Sequence, residues 1–493
     1  MTAHSRGGFL LAIVKTGGGT AVNMVFSILT TKILALVLGP AGLGFWALIK
    51  QTNQSLVRLG ALGGQVTVAQ ALASRDGKAR DHYVASATIL FLSGTVLISL
   101  VLTFFAAPLA SLMLDRTDGA AVRMIRWLII SVGIGVAQIF LYGIFNGNRA
   151  IGRLAMAGIL TAGVNLALAW FVAPLVAEGH AEALIILLSA GQFLSLCWCI
   201  WIAVRNRWLS SMFSWPGFSQ FRSDATHFMR MSGALLTAGL SLTVGMLAVR
   251  VVVLHTRGTG DVGLFDAAWT ISATYVMLAL SSFATYFVPT MAASQDASDR
   301  ARQIDDAIRL VIGLILPLLI ILLCFRDFVI GVLYSKEFLE ASRLLRWTLV
   351  GDCIRLICWC LSGPMIASAH AGRLTLIELF VTGLLVSGGG CLAIWLYGDF
   401  EIFGPVYVVS MAVYAVIAGL YSRKFHEWNP VSAAFGGWCL AFALVVGTAF
   451  LAWHSPPSVL GAAAVIAASL CLAAWLNMDV LIHALKAVRR AVM

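Results

Sequence analysis

The chain is a succession of long apolar runs separated by short polar connections. A helix needs about 20 apolar residues to cross the ~30 Å hydrocarbon layer of a bilayer. Fourteen stretches reach or approach that length: 9–38, 42–73, 84–113, 122–145, 154–176, 183–204, 228–254, 263–291, 308–324, 344–367, 374–397, 402–421, 431–453 and 459–481. Lipid admits only helices or a closed barrel, because every backbone polar group must be satisfied internally. The runs are continuous and lack the alternation of barrel strands. The pattern predicts an all-α polytopic membrane protein with about 14 transmembrane helices. The first two runs meet at Gly39-Pro40-Ala41-Gly42-Leu43-Gly44, which reads as a tight turn.

The pattern also repeats. Ala121-Val122-Arg123-Met124-Ile125-Arg126-Trp127 recurs as Ala341-Ser342-Arg343-Leu344-Leu345-Arg346-Trp347. The same register aligns Gly143 with Gly363, and Gly152-Arg153-Leu154 with Gly372-Arg373-Leu374, all about 220 positions apart. Near that offset Gly39 and Gly44 match Gly258 and Gly263, and Lys32 falls within a residue or so of Arg250. Six spans separate equivalent helices, an even number, so the repeats are parallel about an axis along the membrane normal. The expected organisation is a six-helix bundle over 1–207, an interfacial linker over 208–227, and a second six-helix bundle over 228–424. Two extra, peripheral helices and a basic tail fill 425–493. Two such bundles facing each other enclose a cavity, the layout of an alternating-access transporter.

Composition narrows the classes. The chain is 60% hydrophobic and 11% charged, against roughly 25% charged in soluble globular proteins. The formal charge of +11 comes with a side preference. Alternate loops hold Arg75, Lys78, Arg80, Arg149, Arg153, Arg205, Arg207, Arg222, Arg300, Arg302, Arg373, Arg423 and Lys424, while the opposite set is acidic. The positive-inside rule then puts both termini in the cytoplasm. No basic run interleaved with aromatics suggests nucleic acid, and no cleavable signal peptide is evident. The nine cysteines fall in apolar segments without metal-ligand spacing, so neither a metal nor a cofactor is expected. No P-loop, HExxH or G-x-S-x-G motif occurs, and no loop is large enough for a separate catalytic domain, which argues against an enzyme.

Charge inside the spans is the informative remainder, because an ionisable side chain in lipid is costly and seldom faces it. Lys15 and Lys32 lie near opposite ends of the first span. On the second, Lys50, Gln54 and Arg58 are spaced i, i+4, i+8 and share one helix face, with Gln51 beside them. Arg250, Asp266, Asp352, Arg355 and Glu378 lie in later spans. Lys15, Arg58 and Glu378 are near enough to helix ends to snorkel. Asp352 and Arg355 are one turn apart and could pair with each other, and Asp266 could be satisfied by a neighbouring helix end. For Lys50 and Gln54 a solvated cavity wall is the better reading. The interior is mostly cationic, and such a surface prefers anions, phosphate above all, through charge-assisted hydrogen bonds.

Gly39-Pro40-Ala41-Gly42-Leu43-Gly44, Lys50-Gln51 ahead of Leu59-Gly60-Ala61-Leu62-Gly63-Gly64, Arg326-Asp327-Phe328 and Trp347-Thr348-Leu349-Val350-Gly351-Asp352 agree in order and spacing with a known pattern. On these motifs, over 9–423, the chain resembles Wzx-type flippases of the multidrug/oligosaccharidyl-lipid/polysaccharide superfamily. The similarity is to the enterobacterial common antigen and O-antigen translocases. The last two helices depart from the twelve-helix core of that branch. The resemblance implies two bundles in a V-shaped, MATE-like arrangement around a cation-lined cavity in the bacterial inner membrane. An undecaprenyl-diphosphate-linked oligosaccharide would pass from the cytoplasmic to the periplasmic leaflet while its tail stays in lipid.

Lys32, Lys50, Arg58 and Arg250 are then expected to hold the diphosphate, with Lys15 and Arg355 secondary. Gln51 and Gln54 would meet sugar hydroxyls, and Asp266, Asp352 and Glu378 would serve ion coupling or gating. The expected partners are the polyprenyl-diphosphate oligosaccharide, membrane lipid, and polysaccharide polymerase or export machinery. Two alternatives stand beside this. A cation-coupled drug exporter of the same superfamily would be expected to show an acidic cavity. A membrane glycan polymerase or glycosyltransferase would require a carboxylate or histidine cluster in a sizeable loop.

Overall fold

The computed structural model describes residues 3–209, 212, 214, 217–276, 296–367, 371–453 and 457–478, without the side chains of the opening turns. It is all-helical. The helices are α1 (Ala3–Gly60), α2 (Gly64–Ser74), α3 (Gly77–Phe104), α4 (Ala106–Leu114), α5 (Gly119–Gly147), α6 (Ile151–Ala177), α7 (Ala183–Arg205), α8 (Phe218–Arg257) and α9 (Thr259–Thr270). A π-helical turn, Ile271–Val276, extends α9. There follow α10 (Ala297–Cys324), α11 (Arg326–Leu333), α12 (Ala341–Ala367) and α13 (Ala371–Glu378), which continues through a π-helical stretch, Leu379–Gly388, into α14 (Gly389–Tyr397). The chain closes with α15 (Phe403–His426), α16 (Ala433–Leu451) and α17 (Val459–Leu476). Among the described residues, 11 helices are long and apolar enough to cross a membrane. The sequence pattern gave fourteen. The stretch 263–291 runs outside the described residues, and α12 carries Arg343, Arg346, Asp352 and Arg355.

Helix bounds confirm the internal repeat. Gly77–Phe104 recurs as Ala297–Cys324, and Ile151–Ala177 as the continuous stretch from Ala371 to Tyr397, each bound displaced by 220 positions. The turn expected at 39–44 is a kink instead. Gly39 alone leaves the helical region, at φ 63°, and helix resumes at once from Pro40. A left-handed glycine followed by proline does this cheaply, since Pro suits the first helical position and has no N–H to leave unsatisfied. Its repeat mate Gly258, at φ 92°, separates α8 from α9 in the same way.

Two expected spans are broken. The stretch 42–73 stops at Gly60 and restarts at Gly64, because Leu62 (φ 52°) and Gly63 (φ 67°) are left-handed. The stretch 84–113 is divided at Phe105 into α3 and α4. The linker expected over 208–227 is helical from Phe218, since α8 runs unbroken for 40 residues.

The chain forms two compact units, Met1–Gly263 and Leu264–Met493. The boundary lies beyond α8, so α8 and Arg250 belong to the first unit rather than to the bundle expected over 228–424. Within that unit α6 lies along α1 and α7, while α5 packs on α2, α3 and α7. Along α8, Phe228 fills the space left by Gly64 and meets Phe91 edge-on, with ring centroids 6.1 Å apart. At the other end the repeat-related glycines touch crosswise. A Cβ on Gly44 would strike the Thr259 carbonyl oxygen, and one on Gly263 the Pro40 carbonyl oxygen. These are backbone-to-backbone contacts with no side-chain end to yield. Gly44→Val and Gly263→Val are therefore each expected to cost at least about 1–3 kcal/mol. Thermal unfolding in detergent checks this, and a wild-type midpoint for both would rule out so close an approach.

In the second unit α12 lies along α15, and α10 packs on α12, α16 and α17. The two last helices are tied in by polar bonds. Asn477 Nδ2 donates to the Arg309 carbonyl (3.0 Å), Trp438 Nε1 to the Cys353 carbonyl (3.1 Å), and both Trp428 Nε1 and Ser432 Oγ to Asp305 Oδ1 (2.9 Å each).

Candidate functional site

The polar row on α1 is built by helix periodicity. Beyond the kink, Thr52, Asn53, Ser55, Leu56 and Val57 are buried, while Lys50, Gln54 and Arg58 are exposed on the remaining face. Two turns of helix thus carry two cations and an amide on one stripe, as the i, i+4, i+8 spacing required. α8 supports one end of the stripe. Arg58 Nη1 donates to Thr243 Oγ1 (2.6 Å) and to the Gly239 carbonyl (3.3 Å). Gln51 Nε2 donates to the Thr243 carbonyl (2.8 Å). Gln51 is therefore spent on helix packing, whereas Gln54 keeps its amide open.

The other predicted cations fall elsewhere. Arg250 is only 4% exposed, and its Nη1 donates to the Met246 carbonyl one turn back (3.0 Å). Protein encloses it in this conformation. Lys32 is half-buried in α1. Lys15 lies in the first turns of α1, and its side chain is outside the described residues.

The acidic candidates belong to the second unit, where Asp352 and Glu378 share one connected set of polar groups. Asp352 is 1% exposed. Its Oδ2 accepts from Ser272 Oγ (2.6 Å) and its Oδ1 from Tyr407 OH (2.9 Å). Arg355, one turn away on α12, lies near Tyr407 and within the electrostatic reach of Asp352 and Glu378. Glu378 Oε1 accepts from Tyr414 OH (2.7 Å). Both π-helical stretches touch this network, since Ser272 lies in one and Glu378 immediately precedes the other. A π turn rotates the side chains that follow it, and such turns concentrate at functional positions. Asp266 is half-buried in α9, close to that π turn. Among the described residues no three His, Cys, Asp or Glu side chains could hold a metal ion together.

Several participants were missed by the sequence reading. Tyr407 and Tyr414 sit in an apolar run and read as core. Asp224 was hidden in the presumed linker, yet it is 2% exposed and paired with Arg75 (3.0 Å), with Ser86 Oγ donating at 3.3 Å. Arg230 was not among the charges singled out in the spans. It belongs to an exposed face of α8, with Ser219, Arg222, Ser223, Thr226 and His227, that lines an open pocket of about 470 Å³. The signal was available: cations and hydroxyls recur there at helical spacing.

Comparison with known proteins places this architecture. The profile of the family described as "Polysaccharide biosynthesis protein" matches residues 33–343. The lipid III flippase of Escherichia coli (strain K12) is 24% identical over 426 residues, covering 84% of this chain and 97% of that protein. The lipid III flippase of Shigella flexneri matches to the same extent. Among solved structures, the lipid II flippase MurJ in an inward closed conformation superposes with a TM-score of 0.66 at 14% identity, covering 96% of this chain and 100% of that one. An inward-facing MATE-family multidrug transporter of the MOP superfamily superposes at 0.64 and 16% identity, covering 84% and 99%.

Proposed function

Since the chain belongs to the polysaccharide biosynthesis protein family, we propose that it is a flippase. Its substrate is a polyprenyl-diphosphate-linked oligosaccharide, moved from the cytoplasmic to the periplasmic leaflet of the bacterial inner membrane. Both termini lie in the cytoplasm on this reading, and any polymerase or export machinery acts on the product at the far side. A diphosphate and a sugar chain cannot enter hydrocarbon unaided, because each charged or polar group would lose its hydration without replacement. The protein provides a polar path and two alternating conformations.

The observation that carries this reading is the exposed Lys50–Gln54–Arg58 stripe on α1, opposite the buried Thr52, Asn53, Ser55, Leu56 and Val57. It offers two cations to the diphosphate and an amide to the sugars. Arg250 joins this set only in a conformation that uncovers it. Lys15, Lys32 and Arg355 are secondary contacts. Asp266, Asp352 and Glu378, set beside the π turns, serve coupling or gating as the helices shift. A cation-lined stripe disfavours the alternative of a cationic-drug exporter.

Reconstitution tests the proposal. Purified protein in liposomes should expose a fluorescent undecaprenyl-diphosphate oligosaccharide, placed in one leaflet, to a membrane-impermeant reagent on the other side. Protein-free liposomes should not. Export of cationic dyes without any movement of the lipid-linked sugar would replace this reading with the exporter.

A further inference from the structure

The basic face at the start of α8 has no part in the stripe described above. Its other side is anchored. Asp224 is held by Arg75 and Ser86, Gln220 Nε2 donates to Asp224 Oδ1 (3.1 Å), Arg75 lies over the Tyr83 ring at 4.1 Å, and Phe228 is buried against Phe91. That anchoring turns Arg222, Ser223, Thr226, His227 and Arg230 outward, all exposed, around the ~470 Å³ pocket. Arg222 and Arg230 make no ion pair among the described residues. Asp224, the one carboxylate of α8, faces the other way and is already neutralised by Arg75. Two guanidinium groups without an ion pair, with the hydroxyls of Ser219 and Ser223 beside them, form a donor-rich surface.

Position narrows what that acceptor is. This part of α8 runs beside the first half of α3, inward from Arg75 and from Lys78 and Arg80 in the first turn of α3. Arg222 and Arg230 are eight residues apart, about 12 Å along the axis. Arg58 meets the same helix at Gly239 and Thr243, roughly 14–20 Å further on. Measured along the axis of α8, the two arginines thus lie between the basic rim and the level at which Arg58 meets the helix. Guanidinium forks and hydroxyls suit phosphate oxygens, and two forks suit two linked phosphates better than one.

We propose that the Arg222–Arg230 face of α8 is a loading station for the diphosphate of the lipid-linked substrate, ahead of the Lys50–Arg58 stripe. It rests on the flippase reading above. The groups that bind are the guanidinium ions of Arg222 and Arg230, with Ser219 and Ser223 donating hydroxyl hydrogens, while the Thr226 hydroxyl donates to the Arg222 carbonyl (2.8 Å). His227 borders the pocket and approaches Tyr83 OH through Nδ1 at 3.5 Å.

The test measures binding of undecaprenyl diphosphate, and separately of phosphatidylglycerol, to the full chain in neutral phosphatidylcholine nanodiscs. Arg222→Gln with Arg230→Gln should weaken undecaprenyl diphosphate binding at least about tenfold. Arg222→Lys with Arg230→Lys should recover part of that loss, because charge is kept but the bidentate fork is not. Phosphatidylglycerol binding should be unchanged. The glutamine variant should also raise the half-saturating substrate concentration for translocation while leaving the saturated rate near wild type. Wild-type undecaprenyl diphosphate binding by the glutamine variant would overturn the loading station alone. So would a loss confined to phosphatidylglycerol, which would make this face a site for bulk anionic lipid. Failure of the wild-type chain to bind undecaprenyl diphosphate at all would overturn the flippase reading and the station with it.

Discussion

Asp352→Ala should unfold the second unit at a markedly lower temperature. The carboxylate sits 1% exposed between Ser272, Tyr407 and Arg355. Its removal leaves the Tyr407 hydroxyl without that acceptor, deletes a bond to the π turn after α9, and strips Arg355 of a close counter-charge. Breaking one partner out of a buried ionic cluster costs about 3–5 kcal/mol. For a unit of this size that corresponds to a fall of roughly 6–20 °C in the unfolding midpoint. Asp352→Asn keeps an acceptor and the side-chain volume, so its loss should be clearly smaller. Scanning calorimetry or tryptophan fluorescence of the detergent-purified protein checks both. An alanine variant that melts with the wild type would mean that Asp352 is not bonded as described. An asparagine variant that melts normally but no longer moves substrate would place the carboxylate in coupling rather than in packing.

Lys50→Gln with Arg58→Gln should nearly abolish translocation while sparing the fold. Each charge-assisted hydrogen bond to a phosphate contributes about 1.5–3 kcal/mol. Loss of two therefore slows transfer by roughly 100-fold or more. Lys50 is exposed and has no structural bond to lose. Arg58 gives up its bond to Thr243, but Thr243 Oγ1 retains its own donation to the Gly239 carbonyl (2.8 Å). The effect should therefore appear in the rate and not in the melting temperature. Arg302→Gln, on an exposed pair with Asp299, is the matched surface control and should transport normally. Transport by the double variant at the wild-type rate would remove the stripe from the mechanism.

Much of the architecture was legible in the residues. The 220-position register found between short motifs reappears in helix bounds, and the matched glycines Gly44 and Gly263 lie against the Thr259 and Pro40 carbonyls respectively. The kink at Gly39 was visible as a break, though a Gly-Pro step reads alike for a loop and for a bend within one helix. The interruption at Leu62 and Gly63 was not visible, because its flanks are as apolar as the spans they divide. The site was legible in part. Lys50, Gln54 and Arg58 are open as their spacing implied, whereas Arg250 matched the same criterion and is enclosed. Asp224 was lost because a short polar stretch between spans looks like a linker whether or not it is helical, and Arg230, just inside the span at 228–254, was not among the charges singled out.

The amino-acid sequence by itself determined that this chain crosses a membrane many times as helices, and that helix bounds recur at a 220-position offset. Those properties follow from transfer free energies and periodicities that are local and add along the chain. The tertiary structure alone decided which polar groups are satisfied and which stay open: Arg58 on Thr243, Asp352 between Ser272 and Tyr407, Arg75 on Asp224. Each of these joins positions from 55 to 185 residues apart. Hydrophobicity records that a residue leaves water, and only the neighbouring helix determines what replaces the water.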